Sequence, residues 1–324
     1  MSDWLTLNQG VPQGTILGPL FFIIYVNDMP QIIENSCTMI QYADDTTLFC
    51  AGQNIENCIQ HLELNLKEVI NNFNQNKLMI NVGKTKFVIF RKHSQDKTTK
   101  DLQLQIESTI IEQSDSTKFL GVILDQTLSY KQEVDKILKN MAIAIQTIKN
   151  IRNQLPHSVR VLLIKTLVLS HLHYTCLLLN GCSNQLLNKL EKQIKWAIRT
   201  SLSVQRNISV RVYRINHDIP TANQIIRYRS LQYYSRLFLK NLPAFKTLKF
   251  PNLPEYYNFR TKHFKMTGKA KTDFMQKSFA YLTTKRFENF VTNYQVDLKN
   301  VKIGKIKSLA KQHVMQNYGL EEST

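Results

Sequence analysis

The chain has 324 residues, 43% hydrophobic and 20% charged, which excludes a disordered tail or a fibrous repeat and leaves room for two or three domains. Its 42 Lys and Arg against 24 Asp and Glu give a formal charge of +18, pointing to a polyanionic partner such as nucleic acid or an anionic membrane surface. Five cysteines without a CxxC pair argue against a disulfide framework, and no apolar run approaches the roughly 20 residues that a membrane-spanning helix needs.

In chain order, residues 19–29 read as a buried helix closed by Pro30. Residues 38–50 read as a hairpin with Ala43, Asp44 and Asp45 at its tip. Ile55, Ile59, Leu62, Leu66, Val69, Ile70 and Phe73 recur in steps of three and four, the stripe of an amphipathic helix. Extended runs are predicted at 85–91, 102–106 and 118–125, with a polar turn at 94–101. Helices packed on one antiparallel sheet are the economical arrangement. After residue 128 the period turns helical: Val134, Ile137, Leu138, Met141, Ile145 and Ile148 mark one helix, and 158–172 and 184–202 two more. Beyond 203 the pattern weakens at Pro243, Pro251 and Pro254, and basic residues mix with Tyr and Phe. Charge follows the same division. Residues 1–127 carry a net −5, residues 128–200 a net +8 and residues 201–324 a net +15.

The sequence Tyr42-Ala43-Asp44-Asp45 is the centre of the chemistry. Adjacent carboxylates repel, and a divalent cation removes that cost; Mg2+ usually takes one or two carboxylates together with substrate phosphate oxygens, and Mn2+ is the alternative. A solvated Asp-Asp turn is the competing reading of the pair taken alone. Gly83-Lys84-Thr85 is not a Walker A loop, because the position of its first glycine is Leu78. His171, His173 and Cys176 fall in the apolar stretch 167–179 and Cys182 just beyond it, where helical packing is favoured over zinc because the paired CxxC spacing is missing.

Gln9-Gly10-Val11-Pro12-Gln13-Gly14-Thr15-Ile16-Leu17-Gly18-Pro19-Leu20-Phe21 precedes the Asp pair at short range. Asn76-Lys77-Leu78-Met79-Ile80-Asn81 with Lys84-Thr85 follows it, and then Phe119-Leu120-Gly121-Val122-Ile123-Leu124-Asp125. This order resembles the reverse transcriptase of non-LTR (LINE-type) retrotransposons of the Jockey-like kind, strongly over residues 8–130 and more weakly to about 203.

The resemblance implies an α+β fold: a partial polymerase palm over 1–127, a helical thumb over 128–203, and a basic, mainly helical region over 204–324. It implies that Asp44 and Asp45 ligate catalytic Mg2+ and that Lys84 lies close to the triphosphate. Gly10, Pro12, Gly14, Tyr42 and Ala43 would face the nascent base pair and incoming dNTP, Gln13 would sit near the incoming nucleotide or the template strand, and Phe119, Leu120 and Gly121 would hold the primer terminus. The implied partners are an RNA template, a DNA primer and dNTP, in the nucleus or cytoplasm rather than outside the cell. The family's further metal-binding aspartate lies upstream of the glycine motif, and Asp3 is too near that motif to supply it. The chain therefore reads as the C-terminal part of a longer frame, with weak or no synthesis expected from it alone and apolar surface expected around Phe21, Phe22 and Ile23. A non-catalytic nucleic-acid-binding remnant is the alternative. An RNA-dependent RNA polymerase is disfavoured by Ala43, since that class usually carries Gly before the acidic pair.

Overall fold

A computed structural model describes residues 14–34, 36–91, 102–106, 109–111, 113–239, 279–294, 296 and 303–316. It divides into two compact units, Met1–Thr117 and Lys118–Thr324.

The first unit is organised around one long helix, α2 (Ile55–Gln75). Its start is fixed by Asn54, whose side-chain oxygen accepts from the Glu56 and Asn57 amides at 2.8 and 3.4 Å. The predicted apolar stripe is there, but it serves two small cores. Val69 and Phe73 pack with Val26, Met29, Met39 and Leu48, whereas Ile70 packs with Phe87, Leu104, Ile106 and Ile111. Asn65, 1% exposed, ties the intervening loop down: it accepts from the Glu34 amide at 2.8 Å and donates to the His61 carbonyl at 2.8 Å.

The first helix, α1 (Gly18–Tyr25), begins with Pro19 in its first turn and stops earlier than the predicted 19–29; Pro30 lies inside a separate 3-10 turn, Met29–Ile32. Nor is α1 buried. Phe21, Ile23 and Ile24 are 50%, 54% and 63% exposed. The helix is apolar on every side, and only the side that carries Phe22 reaches the small core, so the rest faces outward.

The hairpin is the predicted one: β1 (Cys37–Tyr42) pairs antiparallel with β2 (Asp45–Cys50), from Cys37 opposite Cys50 to Tyr42 opposite Asp45. Period-2 alternation sends Met39 and Leu48 inward and leaves Ile40, Tyr42 and Phe49 on the open face, at 49%, 65% and 49% exposure.

The remaining extended runs differ from prediction. Residues 85–91 form no strand and make a single parallel bridge, Phe87 with Gln113; Phe87 and Ile89 instead bury their side chains in the second small core. The run 102–106 becomes β3 (Leu104–Ile106), paired with β4 (Thr109–Ile111). The run 118–125 folds back on itself as β5 (Ser116–Phe119) and β6 (Val122–Asp125). The described residues thus hold three two-stranded sheets, not one shared sheet. The polar turn expected at 94–101 lies outside the described residues.

The second unit is helical. After the β5–β6 hairpin come α3 (Lys131–Ile151), α4 (His157–Leu163), α5 (Ser170–Thr175), α6 (Asn184–Leu202), α7 (Val210–His217), α8 (Ala222–Leu239), α9 (Phe279–Tyr294) and α10 (Ile303–Gln316). The helix expected over 158–172 is interrupted by a π turn, Ile164–Val168, closed by the Leu169 amide on the Ile164 carbonyl at 3.0 Å. Val168 at the end of the turn and Leu169 just after it are both buried in the core. One core runs from Val134 through Ile194 to Ile226, across position 203 without a break, and a second gathers Tyr234, Phe287, Phe290 and Ala310. Among the described residues no helix is long and apolar enough to cross a membrane.

Candidate active site

Two turns carry the side chains that the sequence singled out, one in each unit. The first closes the β1–β2 hairpin. Tyr42 and Asp45 are directly opposite, so the loop between them has two residues, Ala43 and Asp44. Ala43 takes φ 52, a left-handed conformation in which a Cβ costs on the order of 1 kcal/mol and where glycine is the usual occupant. Asp44 sits at the tip and Asp45 opens β2 on the open face beside Tyr42; both carboxylates are exposed. Neither makes a side-chain hydrogen bond or ion pair with a described residue. Two neighbouring like charges with free oxygens suit a hard cation that keeps waters or substrate oxygens as its other ligands. No group of three or more His, Cys, Asp or Glu able to hold a metal occurs among the described residues, so the pair would be a partial donor set.

Gly10, Pro12 and Gln13 lie outside the described residues. Gly14 takes φ 87, and a Cβ there would meet nothing within 4 Å. The need for glycine visible in this chain is therefore conformational. Lys84 is exposed at the end of a 3-10 turn, Val82–Lys84, whose first amide-capping acceptor is Asn81: its side chain takes the Lys84 amide at 3.2 Å.

The second turn joins β5 to β6. Phe119 ends β5, and Leu120 and Gly121 follow at φ 45 and φ 83, two successive positive values that match the twist of a tight hairpin. Both turn carbonyls are held from the helices. The Tyr174 hydroxyl donates to the Leu120 carbonyl at 2.6 Å, and the Lys136 ammonium donates to the Gly121 carbonyl at 2.5 Å. Lys136 is in turn paired at 2.9 Å with Glu133, whose carboxylate is 2% exposed and accepts the Ile123 amide at 2.8 Å.

Asp125, at the end of β6, links this hairpin to α3. One oxygen accepts the Thr127 and Ser129 amides at 3.1 and 2.8 Å and the Thr127 hydroxyl at 2.8 Å; the other accepts the Ser129 hydroxyl and the Tyr130 amide, each at 2.9 Å. Burial works to raise the Asp125 pKa, but the hydrogen bonds from Ser129 and Thr127 outweigh it and hold the carboxyl below its ordinary range. The Asp-x-Thr-x-Ser spacing ahead of a helix was a readable signal for this turn. Nothing in the sequence marked Tyr174, which is 54 residues from its partner.

The histidines and cysteines of 171–182 are packed rather than gathered. Cys176 is 1% exposed and donates to the His173 carbonyl at 3.0 Å. Burial pushes the Cys176 and Cys182 thiols up to about 11 each, away from the thiolate that a metal takes.

Residues 3–124 match the family described as reverse transcriptase (RNA-dependent DNA polymerase). The chain is 24% identical over 244 residues to the RNA-directed DNA polymerase from mobile element jockey of Drosophila funebris, a stretch covering 71% of this chain and 26% of that protein. It is 29% identical over 134 residues to the probable RNA-directed DNA polymerase from transposon X-element of Drosophila melanogaster, covering 40% of this chain and 14% of that protein. A similar match, 27% over 134 residues, covers 38% of the chain and 14% of the probable RNA-directed DNA polymerase from transposon BS of the same species. The chain thus spans about a quarter or less of the length of these relatives. No solved structure matches.

Proposed function

We propose, from the premise that the chain belongs through residues 3–124 to the reverse transcriptases of Jockey-like non-LTR retrotransposons, that its β1–β2 turn is the metal-binding tip of an RNA-directed DNA polymerase palm. The observation that carries this reading is the tip itself: two sequence-adjacent, exposed carboxylates, one on the two-residue turn and one on the first residue of β2, neither hydrogen-bonded nor ion-paired to a described residue. Asp44 and Asp45 would hold Mg2+, which when bound activates the primer 3′-hydroxyl and stabilises the departing pyrophosphate. Tyr42 and Ala43, with Gly10, Pro12, Gln13 and Gly14, would face the nascent base pair and dNTP. The exposed Lys84 would neutralise charge on the triphosphate. Phe119, Leu120 and Gly121 would hold the primer end, on a turn whose carbonyls are already engaged by Tyr174 and Lys136. The helices of 128–203 would act as the thumb, and the basic excess of the chain beyond residue 128 would grip the template–primer backbone, with affinity falling steeply as salt rises.

The test has two arms. Iron(II) substituted for Mg2+ and activated by ascorbate cuts a polypeptide beside the bound ion. Cleavage at residues 42–46 is expected, suppressed by excess Mg2+ and lost in Asp44→Asn. Cleavage elsewhere, or cleavage indifferent to Asp44→Asn, refutes the metal assignment. The second arm is primer extension on an RNA template with Mg2+. Synthesis abolished by Asp44→Asn supports polymerase chemistry, and salt-sensitive nucleic-acid binding with no cleavage at the tip selects the non-catalytic binding alternative.

A further inference from the structure

At the other end of the same hairpin from Asp44 and Asp45, three thiols converge. Cys37 is the first residue of β1 and Cys50 the last of β2, and the ladder places them directly opposite one another. The Cys37 amide donates to the Glu34 carbonyl at 3.0 Å, which fits a non-hydrogen-bonded pair with Cys50. Such pairs bring their Cα atoms to about 4.5 Å with side chains on one face, at the short edge of the span that a disulfide bridges. Both side chains face the interior, on the side of Met39 and Leu48.

The third thiol comes from the first turn of α2. Cys58 and Cys37 both act on the Cys50 thiol electrostatically, and that thiol donates to the Ser36 carbonyl at 3.4 Å. Gly52 makes the room. A Cβ at that position would sit 2.7 Å from the Cys58 sulfur, so any larger residue there would push the helix thiol away from the strand end. Cys37 is buried, while Cys50 and Cys58 are half-buried, so the cluster can be reached by a small disulfide through Cys50.

The geometry points to a thiol–disulfide site in which Cys50 bridges reversibly to Cys37 across the ladder, with Cys58 as the exchange partner and a low-molecular-weight disulfide such as oxidised glutathione as the oxidant. The Cys50 thiolate attacks one glutathione sulfur and releases the other as a thiolate, giving a mixed disulfide. The Cys37 thiolate then attacks the Cys50 sulfur and expels the second glutathione. Two cysteine thiols lose two electrons and two protons, and two glutathione thiols gain them. The short cross-strand span puts the bridge at the strained, readily reduced end of the range, and Cys58 can attack it from α2 to return Cys37 to the thiol. Burial pushes the Cys50 and Cys58 thiols up, so the rate of bridging rises with pH through the range 7 to 9.

The sequence makes the bridge easy to map. The first Lys or Arg of the chain is Lys67, so trypsin leaves all three cysteines on one peptide, whereas cleavage after Glu34, Asp44, Asp45 and Glu56 puts each on its own. The whole chain is equilibrated at pH 8 with oxidised and reduced glutathione, alkylated, and digested after acidic residues. The expected result is a Cys37–Cys50 linked pair on the order of tenfold more abundant than any pair involving Cys176 or Cys182, and lost on adding excess reduced glutathione. Cys58→Ser should keep that pair and slow its reduction; Cys50→Ser should abolish it. Should Cys50→Ser fail to fold, Cys37→Ser serves: the cross-strand pair must then vanish, leaving a Cys50–Cys58 link. Only glutathione adducts, a Cys50–Cys58 pair alone in the native sequence, or a bridge that appears solely in urea would each overturn the proposal. None of these readouts depends on polymerase activity, so the reading of Asp44 and Asp45 stands or falls separately.

Discussion

Replacing Asp125 with Asn tests how the second turn is built. The carboxylate collects five hydrogen bonds, three on one oxygen and two on the other, and all five are donated to it. An amide keeps a single acceptor oxygen. Set in the three-bond position, it retains the Thr127 amide, the Thr127 hydroxyl and the Ser129 amide, and turns its NH2 toward the other two donors. The Ser129 hydroxyl can rotate and accept instead. The Tyr130 amide cannot, and it is left facing a donor at the first turn of α3. One lost hydrogen bond to a charged acceptor is worth about 1.5–3 kcal/mol, and weakening of the other bonds as the charge disappears brings the total to about 2–4 kcal/mol. For a unit of this size that is a fall of about 4–16 °C in melting temperature.

The pH dependence supplies an independent check on the cause. The folded-state pKa of Asp125 lies below the ordinary carboxylate value, so its contribution is complete above about pH 4 and is lost as the pH falls through the folded-state value. The gap between wild type and Asp125→Asn should therefore be full at pH 7 and close progressively below about pH 4. Urea unfolding followed by helical ellipticity gives the gap, and amide exchange at Ile123, Ser129 and Tyr130 shows whether it arises locally. A gap under about 1 kcal/mol at pH 7, or one unchanged at pH 3, refutes the account.

Ala43→Gly relieves a left-handed alanine and should raise stability by about 0.5–1 kcal/mol, seen as a higher urea midpoint for the first unit; a lower midpoint would mean that the methyl group packs. Burial holds the His173 and His313 pKa values below 6.5, with Arg229 and Arg227 adding to it, so the folded chain binds fewer protons than the unfolded one. Stability should be full above about pH 6.5 and decline as the pH falls through the folded-state values, and an equal urea midpoint at pH 7.5 and 5.5 would contradict this. Arg214 is 1% exposed and ion-paired with Glu191, which also accepts the Ala222 amide at 3.0 Å. Arg214→Ala should cost about 3 kcal/mol or more by stranding that carboxylate, and a loss within measurement error would show that Glu191 is solvated. Ile24→Lys, on the exposed side of α1, should reduce self-association in sedimentation without moving the unfolding midpoint.

Periodicity served best where one helix face meets one core. The apolar steps of α3 and α6 were readable because Val134, Ile137, Met141, Leu190 and Ile194 all turn to a single cluster. It failed where alternation has another cause. Phe87 and Ile89 alternate because they pack into the core beside α2, with no strand partner among the described residues beyond the bridge at Gln113. The run 118–125 looked continuous because the Leu120 and Gly121 turn lies inside an apolar stretch, and leucine is a poor announcer of a positive φ. The π turn was invisible because a five-residue closure needs only one extra apolar residue, which a stripe of branched residues hides. α1 was misread for the opposite reason: an apolar run predicts burial only if something is there to cover it.

The two turns also differ in what their polar groups are doing, and the difference bears on chemistry. At Leu120 and Gly121 each carbonyl has a donor, the Lys136 ammonium is neutralised by Glu133, and Asp125 has all its oxygens engaged. The carbonyls of such a turn are held in place, which suits a positioning role. At Ala43 and Asp44 the balance is reversed. Two sequence-adjacent carboxylates, whose like charges repel, make no hydrogen bond or ion pair with a described residue, on a turn that already carries a left-handed alanine. Nothing within the described fold relieves either cost, and replacing Asp44 with Asn would relieve one of them at once. Asp125 has both oxygens engaged within the fold, whereas those of Asp44 and Asp45 are open to a ligand. Under the proposed reading that ligand would be a divalent cation, which takes hard carboxylate oxygens and tolerates water on its other sides.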